Sequence, residues 1–235
     1  MIQFYAPLIE STLTLPESES AHCVRVLRTK AGETIEVIDG AGTRFTCRLV
    51  EPHPRHAVVE ILSRAAVPLS WTNNITVAVA PTKHMDRMEW LVEKLTEIGV
   101  NRIIPLRCRY SERKEIKTER LQKIALSAMK QSLKAYMPVI DEMTPCMDAI
   151  AACHAPQRFI AYCNKELERK LLSREYRPNT DVFIMIGPEG DFSAQEVDLA
   201  LSHDFIPVTL GDNRLRTETA ALVACDTCHI INQLS

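Results

Sequence analysis

The hydrophobic pattern of the chain changes near residue 70. Before that point, apolar and polar residues alternate with a period of two over residues 34–38, 44–50 and 57–62. This period is typical of short strands with one buried face. Gly40 and Gly42 mark a hairpin, and helical spacing over residues 18–28 precedes the strands. The pattern predicts a small antiparallel β-barrel with one helix.

Strands and helices alternate in the rest of the chain. Short apolar runs predict strands at residues 75–80, 102–106, near 139, at 159–162 and at 182–186. Helical spacing predicts helices at 85–98 and 118–133. In the first of these, Met88, Leu91, Leu95 and Ile98 form an apolar stripe, and Gly99 is a suitable stop. The alternation predicts an α/β fold, with a parallel sheet that carries helices on both faces.

A break in periodicity separates the two patterns. Residues 63–74 contain Pro68 and show little periodicity, which favours a linker. We therefore predict two domains, a β-rich unit over residues 1–70 and an α/β unit over residues 73–235.

Two strand-loop-helix units follow one another between residues 182 and 220. The apolar run at 182–186 stops at Gly187 and Pro188, and the spacing of Ser193 and Glu196 predicts a capping box at the start of a helix. A second short strand at 207–210 leads into a loop at 211–216. Thr217 is the predicted N-cap of a long final helix, with Glu218 in its first turn.

Glycine is concentrated in these two loops. The chain has seven glycines, and three of them are Gly187, Gly190 and Gly211. Glycine lets a backbone approach a ligand closely, so the loops could form a small-molecule site, although they could equally be ordinary turns. Neither loop matches the G-x-G-x-x-G or P-loop pattern, which argues against the usual dinucleotide and nucleotide-phosphate sites.

Composition indicates a globular protein of a reducing compartment. The 235 residues are 46% hydrophobic and 25% charged, with no apolar run long enough to span a membrane and no signal-peptide pattern at the start. We therefore expect a cytoplasmic protein without a membrane partner. The eight cysteines are scattered, and Cys225 and Cys228 fall within a predicted helix. Packing explains that pair better than redox chemistry or zinc, and no metal is expected.

Charge is distributed unevenly along the chain. Residues 102–134 contain 10 Lys or Arg against 3 glutamates, which suggests either a phosphate-binding surface or a solvated helix face. Residues 181–235 instead contain 9 acids and only 2 bases, Arg214 and Arg216. These two arginines therefore stand out inside the second glycine-containing loop.

The motifs of the chain resemble those of the RsmE family, the 16S rRNA uridine-N3 methyltransferases of the SPOUT superfamily. Segments from one end of the chain to the other carry the resemblance: His22-x-x-Arg25-Val26-Leu27-Arg28, the stretch 83–99, Gly187-Pro188-Glu189-Gly190, and Leu210-Gly211-x-x-Arg214-Leu215-Arg216-Thr217-Glu218. Two departures stand out. Asp191 replaces a usual glycine, and Leu133-Lys134 replaces an expected Gly-Arg pair.

The resemblance implies a fold, a cofactor and partners. It implies a PUA-like RNA-binding domain, a methyltransferase domain with a C-terminal trefoil knot, S-adenosylmethionine as the cofactor, 16S rRNA within the small ribosomal subunit as the substrate, and a homodimer. The residues that it assigns to the cofactor are Gly187, Glu189, Gly190, Leu210, Gly211, Arg214 and Leu215, completed by a third loop near residues 162–164. The residues that it assigns to RNA are His22, Arg25, Arg28, Lys83, Arg109 and Arg113.

Methylation at N3 would need one cation and one proton acceptor. A cation near the uridine oxygens would stabilise the negative charge that develops there, and Arg216 is the first candidate, followed by Arg214. Glu218 is either the proton acceptor or a carboxylate that favours the helix N-terminus. Two alternative functions remain: a methyltransferase of the same fold that acts on tRNA, and an RNA-binding assembly protein without catalysis.

Overall fold

The computed structural model describes residues 2–163 and 168–235. The chain divides into two compact units. Unit 1 comprises residues 1–70 with 126–137, and unit 2 comprises residues 71–125 with 138–235. A segment from the middle of the chain thus belongs with the N-terminal residues.

Unit 1 is built on a four-stranded sheet. Its strands, in the spatial order β1-β2-β3-β4, are β1 (Gln3–Tyr5), β2 (Thr34–Ile38), β3 (Thr43–Glu51) and β4 (Val58–Ala66). Its helical segments are α1 (Ile9–Thr12), α2 (Glu17–Ala21) and a π-helix (His22–Val26). The strand pairs β2–β3 and β3–β4 are antiparallel, whereas β1 pairs with β2 in parallel. The predicted antiparallel pairing is therefore confirmed for β2, β3 and β4, whereas β1 is parallel to its neighbour β2.

The core of unit 1 lies against one face of this sheet. Phe4, Val37, Phe45 and Leu49 are among its buried members. The alternation of buried and exposed residues along β3 is the period that the sequence showed. A second cluster joins Ile38 to Met129 and Ala135, so residues 126–137 complete the core of this unit.

The described residues of unit 2 form a parallel sheet of eight strands. Its strands are β5 (Ile75–Val79), β6 (Arg102–Arg107), β7 (Val139–Ile140), β8 (Thr144–Pro145), β9 (Gln157–Ala161), β10 (Lys170–Leu171), β11 (Val182–Ile186) and β12 (Ile206–Thr209). The main path has the order β10-β12-β9-β11-β5-β6-β7, and β8 pairs with β6. The central strand β11 is buried at every position, because elements cover both of its faces.

In the described residues, six helices accompany this sheet. They are α3 (Met85–Ile98), α4 (Thr118–Gln131), α5 (Cys146–Ala151), α6 (Leu172–Glu175), α7 (Ala194–Ser202) and the final helix α8 (Thr217–Gln233), of which α4 begins in unit 2 and ends in the segment assigned to unit 1. Met88, Leu91 and Leu95 of α3 are buried as the apolar stripe predicted, and Gly99 ends the helix. The last helix packs against α3, β5 and β11.

The linker prediction is wrong in its first part. Residues 63–66 belong to β4, where their backbone pairs with Thr43–Thr46 of β3. Their side chains are exposed, so they show no apolar alternation that could indicate a strand. At the other end of the same segment, Trp71 is buried and donates from Nε1 to Asn101 Oδ1 at 2.9 Å. The irregular part is therefore shorter than the sequence suggested.

Cysteine and membrane features follow from the same description. All eight cysteines are free thiols, and seven are buried, including Cys225 and Cys228 in α8, as the packing interpretation predicted. Among the helices of the described residues, none has the length and apolar character needed to cross a membrane.

Candidate active site

Three loops leave neighbouring parallel strands at the same edge of the sheet. They follow β9, β11 and β12, which lie side by side in the order β12-β9-β11. Because the carboxyl ends of parallel strands meet at one edge, the loops at residues 162–163, 187–192 and 210–216 lie together. The two glycine-containing loops singled out from the sequence are two of the three.

Close packing limits the side chain in the loop that follows β11. A Cβ atom on Gly187 would lie 3.1 Å from the Phe192 ring, and one on Gly190 would lie 3.0 Å from Tyr110 Cβ. Gly187 is buried, whereas Glu189 and Gly190 are exposed. Protein neighbours therefore pack tightly against Gly187 and Gly190, which the sequence did not indicate.

Asp191 connects this loop to the loop that follows β9. Its φ of 64° is left-handed, a conformation that few residues other than glycine adopt. Oδ2 accepts from the Cys163 backbone N–H at 3.0 Å, and Oδ1 accepts from the Phe192 N–H at 2.8 Å. Burial raises the pKa of Asp191, while the two N–H groups and Arg169 act in the opposite direction.

The loop that follows β12 has an open backbone. Gly211 has a φ of 118° and no heavy atom within 4 Å of a Cβ position, so backbone geometry, and not packing, favours glycine here. Thr209 Oγ1 donates to the Gly211 carbonyl at 2.9 Å. Leu210 and Leu215 are half-buried, and Arg214 and Arg216 are exposed.

The start of α8 differs from the prediction by one residue. Arg216 is the N-cap, with extended backbone angles and no side-chain cap, and Thr217 is the first helical residue. The Thr217 hydroxyl is directed at the neighbouring loop instead, where Oγ1 donates to the Gly187 carbonyl at 3.2 Å. Thr217 is therefore a link between the two loops and not a cap.

Glu218 contacts a helix that the sequence did not associate with it. Its side chain is only 9% exposed, and Oε1 lies 3.7 Å from Arg87 Nη1 of α3. Asp86, Arg87, Trp90, Glu218 and Thr219 line an open groove at this place. Arg87 was not among the predicted site residues, and no sequence signal linked it to Glu218.

The third loop brings a thiol close to the other two. Cys163 is the exposed cysteine, and Arg169 Nη1 donates to the Tyr162 and Cys163 carbonyls at 3.1 and 3.2 Å. Burial and then Asp191 raise the pKa of Cys163, whereas Arg169 and Arg214 lower it. Asn164, the last residue of the predicted third loop, lies outside the described residues.

Glu196 has a second role besides the predicted capping box. The box is confirmed, since Ser193 N–H donates to Oε2 at 2.8 Å and Glu196 N–H donates to Ser193 Oγ at 3.4 Å. Oε1 also accepts from the Arg109 backbone N–H at 2.8 Å. The carboxylate thus fixes the segment after β6 against the start of α7.

Three buried side chains with atoms that could bind a metal lie close together in the core. The Sγ atoms of Cys108 and Cys146 and a carboxylate oxygen of Glu196 are within 4.8 Å of one another. A hydrogen bond with Cys108, and then burial, raises the pKa of Cys146 far above its ordinary value, which keeps this thiol protonated. With both Glu196 oxygens already hydrogen-bonded, the cluster forms a buried polar network.

Two predicted RNA-binding residues of unit 2 lie on adjoining segments. Lys83 Nζ forms an ion pair with Glu112 at 3.1 Å, and Arg113 donates to the Lys83 carbonyl at 2.7 Å. The Arg109 side chain is exposed. These contacts bring Lys83 and Arg113 together.

The basic stretch contains both paired and unpaired cations. Arg102, Arg120 and Lys130 pair with Asp141, Glu89 and Glu19 respectively. Five Lys and Arg side chains in the described residues 102–134 are exposed and form no ion pair: Arg107, Arg109, Lys114, Lys117 and Lys123. Only part of the local positive charge is therefore available to an anion.

The predicted RNA-binding residues of unit 1 lie on a π-helix. His22 and Arg25 belong to it, but Arg28 lies beyond its end with a left-handed φ of 56°. The three-residue spacing of Arg25 and Arg28 predicts that they share one face of an α-helix, and this prediction is wrong, because the wider turn of the π-helix and the left-handed Arg28 change the spacing. Arg25, Arg28 and the intervening Val26 and Leu27 are all exposed.

Family models cover most of the chain. A model described as an RNA methyltransferase domain matches residues 70–229, and one described as an RNA methyltransferase PUA domain matches residues 15–62. The second match falls within unit 1, and the first covers nearly all of unit 2.

Individual proteins are similar over nearly their whole length. The chain is 44% identical to a probable rRNA-methyltransferase from Porphyromonas gingivalis, with a TM-score of 0.94 and coverage of 100% and 99% of the two chains. It is 30% identical to a ribosomal RNA small subunit methyltransferase E from Neisseria gonorrhoeae that was solved with bound S-adenosyl methionine, with a TM-score of 0.85 and coverage of 98% of each chain. A protein of the same name from Rickettsia conorii is 27% identical, over 91% of this chain and 88% of the relative.

Proposed function

The chain belongs to the RNA methyltransferase family, and we propose that it transfers a methyl group from S-adenosylmethionine to N3 of a uridine in 16S rRNA of the small ribosomal subunit. Its full-length similarity to methyltransferase E proteins supports rRNA as the substrate class and S-adenosylmethionine as the cofactor. The position of the methyl group is the finer part of this proposal.

The observation that carries the proposal is the meeting of three loops at one edge of a parallel sheet. This edge is where open α/β sheets bind ligands. The residues fit the cofactor, since Gly211 leaves open space beside the second loop and half-buried Leu210 and Leu215 offer apolar surface. We propose that the backbone of Gly187, Glu189, Gly190 and Gly211, with Leu210, Arg214 and Leu215, holds it.

The bound cofactor supplies an electrophilic methyl group, so the chain needs only to position and desolvate the base and to handle one proton. We assign Arg216 to the charge that develops on the uridine oxygens, because it is exposed at the N-cap of α8, beside the loops. Arg214 is the second cation. For Glu218 the contact with Arg87 favours a role in positioning α8 over proton acceptance.

RNA binding would use both units. In unit 1, residues 1–70 would act as the PUA-like domain, with a barrel completed around the four-stranded sheet and with His22, Arg25 and Arg28 as contacts. The π-helix supports this assignment, since such helices often occur at functional sites. In unit 2, Lys83, Arg109 and Arg113 would contact phosphate, as arginine and lysine do in other RNA-binding surfaces.

A knot and a dimer complete the proposal for the methyltransferase domain, residues 73–235. After β12 the chain passes β9 and β11 before α8 packs against β5 and α3, a path that threading through a knot would explain. Trp90 of α3 and Ile230 of α8 are 42% and 49% exposed, and a C2 homodimer would cover them.

The test is methyl transfer from labelled S-adenosylmethionine to undermodified small ribosomal subunits, with naked 16S rRNA and tRNA in parallel and digestion to nucleosides. We expect N3-methyluridine from the rRNA substrates. A 2′-O-methyl nucleoside or methylated tRNA would replace the proposed substrate with the tRNA alternative. Failure to bind the cofactor would support the RNA-binding protein without catalysis.

A further inference from the structure

The side chain of Asp191 makes two contacts that a glycine at this position could not make. Its Oδ2 accepts from the N–H of Cys163, which is 28 residues away in sequence and follows β9. Its Oδ1 accepts from Phe192 N–H at 2.8 Å, and its own N–H donates to the Pro188 carbonyl at 2.9 Å. One carboxylate therefore closes its own loop and attaches it to a second one.

The residues that Asp191 holds are fixed from other directions as well. Arg169 Nη1 donates to the carbonyls of Tyr162 and Cys163, and Tyr162 N–H donates to the Val208 carbonyl of β12 at 3.3 Å. The short segment Tyr162–Cys163 thus contacts Arg169, strand β12 and the loop after β11. Of these contacts, the one to the loop after β11 depends on the Asp191 side chain.

Asp191 keeps these contacts despite an unfavourable backbone. A φ of 64° suits glycine, and an aspartate there gives up some backbone stability. Strain of this kind persists where surrounding contacts compensate for it, and the two hydrogen bonds to the carboxylate are those contacts.

We propose that Asp191 is a positioning residue that fastens the loop after β11 to the loop after β9 and thereby pre-organises the cofactor pocket. The inference rests on the proposed function, because it concerns the same pocket. Its physical basis is that a loop held in its binding conformation loses less entropy when a ligand binds. Asp191 acts here through backbone geometry and does not need to contact the cofactor.

The experiment compares two variants, Asp191→Gly and Asp191→Asn, with the original protein, all as full-length chains. Glycine relieves the backbone but removes both acceptors, whereas asparagine tolerates the left-handed conformation and keeps one acceptor oxygen. Asp204→Gly is the matched control: Asp204 has a φ of 61°, and its side chain is 94% exposed beyond the end of α7.

Calorimetric titration with S-adenosylmethionine and with S-adenosylhomocysteine gives the first readout. We expect Asp191→Gly to weaken binding of both ligands by about tenfold, with Asp191→Asn intermediate and Asp204→Gly unchanged. In the methylation assay the loss should appear in KM for the cofactor more than in kcat. Urea unfolding should show that the stability of Asp191→Gly is close to that of the original protein, because relief of the backbone and loss of the two hydrogen bonds act in opposite directions.

Hydrogen exchange at the Cys163 amide is a second readout, which does not depend on function. Exchange should accelerate in Asp191→Gly and not in Asp204→Gly. Unchanged affinity for both ligands, or a loss confined to the cationic S-adenosylmethionine, would overturn the proposal, because the latter would make Asp191 a direct charge contact. If the original protein binds neither ligand, the proposed function fails, and with it the pocket that the inference concerns; unchanged exchange would remove the inference alone.

Discussion

The Thr217 hydroxyl donates to the Gly187 carbonyl at 3.2 Å, which joins two loops that are 30 residues apart in sequence. Both residues are buried, so this carbonyl depends on a protein partner. The bond connects the first turn of α8 to the end of β11. It therefore couples the stability of the last helix to the shape of the candidate cofactor site.

Replacing Thr217 with valine should lower the stability of the protein and weaken cofactor binding. Valine keeps the shape but leaves the Gly187 carbonyl without its donor, which costs about 1–3 kcal/mol in a buried position. We expect a lower free energy of unfolding in urea and weaker binding of S-adenosylmethionine in calorimetric titration. Thr217→Ser keeps the hydroxyl and is the control. Equal affinity and stability in all three proteins would mean that the bond does not shape the site.

Sequence patterns located most of the fold because its elements have strong local signals. β11 and α3 have the predicted limits, and the capping box of Ser193 and Glu196 occurs as its spacing indicated. The elements that were missed, such as β8, β10 and α6, have 2 to 4 residues. Runs that short are too brief to show a period, and the strands among them, β8 and β10, form by pairing with β6 and β12.

The sequence indicated the loops of the candidate site but not the contacts between them. Gly187, Gly190 and Gly211 pointed to two of the loops that meet at one edge of the sheet, whereas the bonds from Asp191 to Cys163 and from Thr217 to Gly187 join residues far apart in sequence. Asp191 and Leu133, the two positions where an expected glycine is replaced, both have positive φ, 64° and 56°. The backbone thus keeps the glycine conformation without the glycine, which no composition argument could reveal.

Lys130 and Lys123 should behave differently although both belong to the basic stretch. The Lys130 ammonium contacts both Glu19 oxygens at 2.7 and 2.8 Å, and the two side chains are 20% and 9% exposed. Lys130→Ala leaves a buried carboxylate unpaired, so we expect the free energy of unfolding measured in urea to fall by about 3 kcal/mol. A Glu19→Gln substitution in the same protein should recover part of this loss.

Lys123 is the matched surface cation of the same helix. It is exposed and forms no ion pair with any residue that the structure describes, so Lys123→Ala should leave stability within about 0.5 kcal/mol of the original. If Lys123 contacts a phosphate, Lys123→Ala should reduce the slope of log K for rRNA binding against log salt concentration by about 0.7–1 in magnitude. An equal loss of stability in both variants would contradict the distinction between a structural and a surface lysine.

Arg216 and Glu218 should separate catalysis from helix positioning. Arg216→Ala should lower kcat by about 100-fold or more, since it removes the cation assigned to the uridine oxygens. Glu218→Gln should lower kcat by less than about tenfold. Glu218→Gln and Arg87→Ala should each lower the free energy of unfolding, because Glu218 and Arg87 are partners. A loss of the acidic limb in the pH–rate profile of Glu218→Gln would instead identify Glu218 as the proton acceptor.

The proposed dimer would bury the exposed apolar side chains Trp90 of α3 and Ile230 of α8. We expect light scattering to give the mass of a dimer for the original protein and of a monomer for Trp90→Glu, because the substitution places a charge among the side chains that the proposed dimer buries. Val26→Glu, at a residue of unit 1 that is 68% exposed, is the control and should leave the mass unchanged. A monomeric original protein would refute the proposed dimer.

Asp191 should also make stability depend on pH in an unusual direction for a carboxyl group. Burial raises its pKa in the folded protein above the ordinary value of 3.8, so the folded state holds this proton more tightly than the unfolded state does. Between the two pKa values the folded protein binds more protons, and the contribution of Asp191 to stability therefore falls as pH rises through this window. Asp191→Asn cannot titrate. The unfolding free energy of the original protein minus that of Asp191→Asn should therefore decrease as pH rises from below 3.8 through the folded pKa, and should then stay constant. Denaturant unfolding at a series of pH values measures this difference, and a shift in the opposite direction would show that hydrogen bonding to the carboxylate outweighs its burial.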